Sequence, residues 1–153
     1  MIQIFRCVHQ LGGRSYGNSL LRRVLDPRHI VRKVNKISSH LNAKALLNAH
    51  KRGVKVEVIL DKSQRTEKYS SGTFFFNAGI PVKIDAKHTI AHNKVMIVDG
   101  ETVITGSFNF TKAAEEKNAE NLLVIRDRKL AELYTKNWQE YDRHSDVYEG
   151  RGR

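Results

Sequence analysis

The sequence predicts an α/β domain in which a mixed β-sheet packs between helices. Three observations predict it. Helical stretches alternate with β-rich runs from residue 43 to residue 141, and two β-branched runs meet at Asp99-Gly100, a strong hairpin signal. The chain of 153 residues is also sized for one core rather than two. A helix, strand, helix, strand order calls for parallel pairing and a hairpin for antiparallel pairing, so the sheet is mixed.

The elements follow in order. AKALLNAHKRG (43–53) places Ala45, Leu46 and Ala49 on one helical face, puts Lys51 and Arg52 in the last turn and stops at Gly53. VKVEVIL (54–60) alternates like a strand. Residues 63–78 suit a helix that stops near Gly79, and IPVKID (80–85) a second strand. KVMIVD (94–99) and TVITGS (102–107) form the hairpin, NLLVIRD (121–127) a further strand, and residues 128–141 a closing helix. The tail, DVYEGRGR, is expected to fray. Upstream, Ile30, Val31, Val34 and Ile37 would line one side of a helix whose other side carries Arg28, Arg32, Lys33 and Lys36. The expected organisation is therefore an atypical basic segment (1–42), a folded domain (43–144) and a flexible tail (145–153).

Composition narrows the function classes. Twenty-seven Lys and Arg against 16 Asp and Glu give a formal charge of +11, which favours polyanionic partners such as nucleic acid or anionic lipid. The surplus lies at the start: residues 1–53 hold 11 basic residues and 1 acidic one. A single cysteine, Cys7, excludes an internal disulfide framework and a Cys-rich zinc site. No apolar run is long enough for a membrane span, and the first residues lack the apolar stretch of a signal peptide.

The chemistry concentrates in HNKVMIVDGETVITGSFNF (92–110). A two-residue Asp99-Gly100 turn would set Val98 opposite Glu101, Lys94 opposite Thr105 and His92 opposite Ser107. His92, Lys94, Thr105, Ser107 and Asn109 would then converge. A bulge of one residue would break that register. Asp99, about 16 Å along an extended strand from Lys94, cannot reach it within the hairpin and suits turn geometry or a structural ion pair. Lys supplies a fixed positive charge, Ser and Asn supply neutral donors, and His serves as nucleophile or proton carrier, a set suited to a phosphodiester. Solvent-facing His and Lys with turn-forming Ser and Asn are the ordinary alternative. The nearby acids, Asp99, Glu101, Glu115 and Glu116, lack a two-His partner spacing, so no metal and no cofactor are assigned.

The pattern His92-x-Lys94-x(4)-Asp99-x(6)-Gly106-Ser107-x-Asn109 resembles the HKD motif of the phospholipase D superfamily, and residues 43–141 resemble its small bacterial Nuc-type endonucleases. The resemblance implies a metal-independent phosphodiesterase with catalytic residues His92, Lys94, Asp99 and Glu120. His92 would attack phosphorus to form a covalent phosphohistidine. Lys94 and Asn109 would hold the non-bridging oxygens with Ser107 assisting. Glu120, in Asn118-Ala119-Glu120-Asn121, would orient the imidazole. With one copy of the motif per chain, it also implies a homodimer in which the partner's His92 is the general acid.

The leading expectation is hydrolysis of DNA or RNA with low sequence specificity. A phospholipase D-type lipid hydrolase is the second reading and an inactive nucleic-acid-binding relative the third. His88, His9, His29, His40, His50 and His144 are expected at the surface or on helix sides, and Phe74, Phe75 and Phe76 in the core rather than stacked on bases. Family members normally supply a central apolar strand just before the helix at Ala43, where this chain has VRKVNKISSHLN. The first 42 residues are accordingly read either as a diverged basic arm or, preferably, as the product of a disrupted reading frame. The chain reads as soluble and cytoplasmic, or as periplasmic or secreted if an original start has been lost.

Overall fold

A computed structural model describes residues 3–9, 39–65, 71–110, 114 and 117–150. Among the described residues, seven strands form one mixed sheet. In chain order the elements are β1 (Gln3–His9), α1 (Ser39–Lys51), β2 (Val54–Asp61), a 3-10 turn (Lys62–Arg65), α2 (Ser71–Asn77), β3 (Val82–Asp85), β4 (Lys94–Val98), β5 (Thr102–Gly106), β6 (Leu122–Arg126), α3 (Arg128–His144) and β7 (Asp146–Val147). The spatial order is β6-β5-β4-β1-β2-β3-β7.

Alternation along the strands sends side chains to opposite faces, and each face has its own cover. Leu46, Ala49, Val56, Val58, Phe75, Ile84, Met96 and Ile104 build one core with α1 and α2. Ile59, Val95, Ile97, Val103, Ala131 and Trp138 build the other under α3. Full burial of each aliphatic side chain contributes about 1.5–3 kcal/mol, so the two-sided central strands are the most firmly held. α1 ends as expected, with Gly53 at φ 88° and its N–H on the His50 carbonyl at 2.8 Å. α3 starts where the Asp127 carboxylate accepts the Leu130 N–H at 3.0 Å, and it runs three residues past the expected end, to His144.

Five expectations need correction. The centre of the sheet is not missing: β1, inside the segment set apart by composition, pairs antiparallel with β2 and parallel with β4. Its Arg6 is tolerated there because the guanidinium meets Glu57 at 3.3 Å and lies 5.2 Å from the Trp138 ring centre. Second, the tail does not fray throughout. Asp146 and Val147 pair with β3, and Tyr148 is buried against α2, its hydroxyl 3.0 Å from Thr73 Oγ1. Third, of the three phenylalanines only Phe75 is in the core; Phe74 and Phe76 are exposed, because neighbours on a helix point about 100° apart. The expected helix over 63–78 is in part a 3-10 turn and the shorter α2, with residues 66–70 outside the described ones. The helix expected near 30–37, and His29, also lie outside the described residues.

The fifth correction concerns register. Glu101 N–H closes the turn on the Val98 carbonyl at 3.1 Å, yet the ladder pairs Val98 with Thr102 and Val95 with Thr105. Glu101 is an extra residue, and its carbonyl accepts the Asp127 N–H at 3.0 Å instead of pairing across the hairpin. Thr105 therefore stands opposite Val95, not Lys94, and continuing the ladder by one pair brings Gly106 opposite Lys94.

Candidate active site

The strand directions decide where polar residues gather. β1, β4 and β6 begin, and β2, β3 and β5 finish, at the same end of the sheet. His92 and Lys94 at the start of β4, Ser107 after β5 and Glu120 before β6 therefore meet there. Gly106 makes the meeting possible: at φ 153°, a Cβ on it would lie 2.1 Å from the Asn121 carbonyl oxygen. That close approach lets Ser107 N–H reach the same carbonyl at 3.1 Å.

Ser107 Oγ donates to Glu120 Oε2 at 2.5 Å and accepts the Asn121 N–H at 3.0 Å. Asn118 Nδ2 donates to the other Glu120 oxygen at 3.1 Å. These donors, with the Lys94 charge behind them, hold the Glu120 carboxyl below its usual range. Lys94 is buried and its ammonium donates to the His92 carbonyl at 3.0 Å. Burial lowers its pKa, while Glu120 works against that fall. The exposed His92 ring has its pKa lowered chiefly by the Lys94 charge, against the opposing charge of Asp61.

The Lys94 cation thus couples His92 to the Ser107–Glu120 pair. The arrangement sets an exposed imidazole, a buried cation and a hydrogen-bonded carboxylate at one end of the sheet. Among the described residues none hydrogen-bonds the His92 ring, and Glu120 engages Ser107 and Asn118 rather than the imidazole. Asn109 is half-buried two residues past Ser107 and makes no hydrogen bond to the others. Asp99 sits in the exposed turn at φ 52° with its N–H on the Cys7 carbonyl at 2.9 Å, at the far end of β4 from Lys94. A cavity of about 460 Å³ opens between β4, β5 and α3, lined by Asn93, Lys94, Thr105, Gly106, Tyr134 and Tyr141. Lys94 lines it; His92, Ser107 and Glu120 do not.

Several residues escaped the sequence reading. Asp61, buried at the end of β2, accepts the Ala91 N–H at 2.9 Å and so anchors the segment that presents His92. Burial opposes its charge, but the N–H donors of Ala91 and Ser63 prevail and lower its pKa. An acid closing the apolar run Val58-Ile59-Leu60 was the available signal. Asn93 donates to the Tyr141 hydroxyl at 2.9 Å, tying the same segment to α3. Asp85, His88 and His144 form a second polar cluster, from residues too far apart in sequence to signal it.

Helices cover both faces of a mixed sheet in which a His-x-Lys pair opens one central strand. The chain belongs to the phospholipase D-like family: residues 30–141 match the family model described as cardiolipin synthase, PLD-like domain. That match begins upstream of residue 43, where the sequence resemblance begins. A phospholipase D of Rickettsia felis is 52% identical over 102 residues, 67% of this chain and 51% of the relative. A mitochondrial cardiolipin hydrolase of Xenopus tropicalis is 38% identical over 104 residues, 65% of this chain and 50% of the relative. The chain thus spans about half the length of the curated relatives it matches. The crystal structure of Nuc from Salmonella typhimurium, a phospholipase D family member, superposes with a TM-score of 0.70 at 34% identity, covering 96% of this chain and 99% of that one. NucT from Helicobacter pylori shares the fold, with a TM-score of 0.62 at 23% identity over 84% of this chain and 95% of its own.

Proposed function

We propose that this protein hydrolyses phosphodiester bonds of DNA or RNA, with little regard to sequence, through a covalent intermediate on His92. The observation that carries the reading is the exposed His92 ring at the entry to β4, beside the buried Lys94, whose ammonium donates to the His92 carbonyl at 3.0 Å. A ring nitrogen of neutral His92 attacks phosphorus, forming the N–P bond as the P–O bond to the leaving group breaks, and the leaving oxygen takes a proton. Water then attacks the phosphohistidine, frees the second product and restores the imidazole. Lys94 and Asn109 supply the positive charge and the donor for the non-bridging oxygens, with Ser107 assisting from its hydrogen bond to Glu120. No step uses a metal or cofactor, and Asp99 acts at the turn rather than on substrate.

One chain offers one such histidine, and the departing oxygen needs an acid. The reading therefore includes a homodimer in which the partner's His92 protonates it. The +11 charge and the resemblance to Nuc-type endonucleases favour a polyanion held by its backbone phosphates, with salt-sensitive affinity.

A second reading has its own support. Relatives named phospholipase D and mitochondrial cardiolipin hydrolase point to lipid phosphodiesters, and Ile90, two residues before His92, is 68% exposed. No helix among the described residues is long and apolar enough to cross a membrane. The test is cleavage of single- and double-stranded DNA, RNA and phospholipid vesicles in excess EDTA, wild type beside His92→Ala. Nucleic-acid cleavage lost in the variant supports the proposal; turnover of lipid alone replaces it with the second reading; salt-sensitive DNA binding without cleavage points to an inactive relative.

A further inference from the structure

The end of the sheet that carries His92 holds a second cluster, on the β3–β7 side. β3 finishes at Asp85, whose side chain is fully buried. α3 finishes at His144, and the pairing of Ile84 with Asp146 immediately afterwards brings that histidine back onto Asp85. His88 arrives from the segment between β3 and β4. His88 Nδ1 lies 2.7 Å from Asp85 Oδ2, and His144 Nε2 lies 3.5 Å from Asp85 Oδ1.

Three features distinguish this cluster from an incidental ion pair. The three donor atoms lie within 4.8 Å of one another, so small side-chain movements bring all three to the roughly 2.0–2.2 Å at which zinc holds nitrogen and oxygen. His144 Nε2 is buried without a hydrogen-bond partner, although an acceptor-rich carboxylate is adjacent. The carboxylate is itself fixed by the Lys87 and His88 N–H groups at 3.0 and 3.3 Å, the kind of outer support that orients metal ligands. The Tyr141 ring packs against both imidazoles, with centroids 5.3 and 5.6 Å away.

We propose that Asp85, His88 and His144 bind one divalent first-row transition metal ion of the zinc type. Two imidazoles and one carboxylate are the donor set such ions select over magnesium or calcium. The half-exposed side of His88 leaves room for water as a further ligand. The ion takes the place of the hydrogen shared by His88 and Asp85, and it ties the β3–β4 segment to the C-terminal end of α3. That segment is the one Asp61 and Tyr141 already hold at Ala91 and Asn93, so the ion braces the approach to His92 without touching the reacting atoms. The site stands independently of the phosphodiesterase reading.

Its test is titration of the EDTA-stripped, desalted protein with Zn²⁺ by calorimetry and with Co²⁺ by visible absorption, in the absence of any substrate. The expected result is one ion per chain, with affinity lowered at least about tenfold in His88→Ala and in His144→Ala and unchanged in His92→Ala. His88 is exposed, so its variant should fold, which circular dichroism would confirm. No saturable binding by the wild-type protein overturns the proposal. So does binding that survives both substitutions or is lost in His92→Ala. Cleavage that persists in EDTA leaves this proposal intact, and failed metal binding leaves the phosphodiesterase reading intact.

Discussion

Ser107 and Glu120 share a 2.5 Å hydrogen bond that joins the end of β5 to the approach to β6. The bond exists because Gly106 lets the two backbones close on each other, and it places a carboxylate in reach of the Lys94 charge. Ser107→Ala removes one of the two side-chain donors on Glu120. The variant should fold with a stability loss of about 0.5–1.5 kcal/mol. Its kcat should fall about ten- to a hundredfold, the usual cost of losing an orienting partner. Steady-state cleavage assays beside thermal melts check both, and an unchanged kcat would remove Glu120 and Ser107 from the mechanism.

The Lys94 charge lowers the His92 pKa. Because the folded pKa of this exposed ring lies below its ordinary 6.5, the imidazole stays unprotonated to lower pH, and the acidic limb of kcat/KM should fall below pH 6.5. Removing the neighbouring cation in Lys94→Met should raise the His92 pKa, as followed by NMR of the ring protons. A His92 titration that is the same in both proteins contradicts the coupling.

Gly106 leaves no room for a side chain. Gly106→Ala pushes a methyl group into the Asn121 carbonyl at a φ few residues adopt, so stability should drop by at least about 1–3 kcal/mol. Activity should drop with it, since the Ser107–Glu120 contact depends on that approach. The midpoint of urea unfolding reports the first effect. An unaltered midpoint would mean that β5 and β6 are spaced differently.

Cys7 reports on the centre of the sheet. Fully buried in β1, its thiol is pushed up to about 12 by desolvation, with Asp99 and Glu57 adding to the effect. The single thiol should resist a thiolate-specific reagent in the native protein and react stoichiometrically in guanidinium. Rapid native labelling would show that β1 does not occupy the centre.

The hairpin, the strand runs at 54–60 and 121–127 and the helix after Asp127 were legible because apolar alternation and turn chemistry are local properties. The register was not. Whether Glu101 pairs across the hairpin or bulges is decided by Asp127, whose N–H takes the Glu101 carbonyl from β6's far end. Nor was β1 legible as a central strand. A cation at Arg6 argues against burial until Glu57 and Trp138 are seen on either side of it. β7 has only two residues, and no periodicity can show in so few.

Within the site, His92, Lys94 and Ser107 were named by the motif, whereas the alternation argument that set Ser107 opposite His92 failed with the register, and Glu120 came only through resemblance. Its contacts depend on how closely β5 and β6 approach, which spacing does not encode. Asp61 and the Asp85, His88, His144 cluster needed the fold itself, because β2, β3 and α3 bring them to one end of the sheet from distant parts of the chain.

The central claim is the covalent bond to His92, and trapping it is the most direct measurement. Labelled single-stranded DNA is mixed with the protein in EDTA, quenched in alkali within one turnover, and the protein is digested and its labelled peptide sequenced. The account predicts an alkali-stable, acid-labile phosphoramidate on the peptide containing His92, absent in His92→Ala. Rapid cleavage of the DNA by the wild-type protein with no label retained, or with label on another residue, would contradict it.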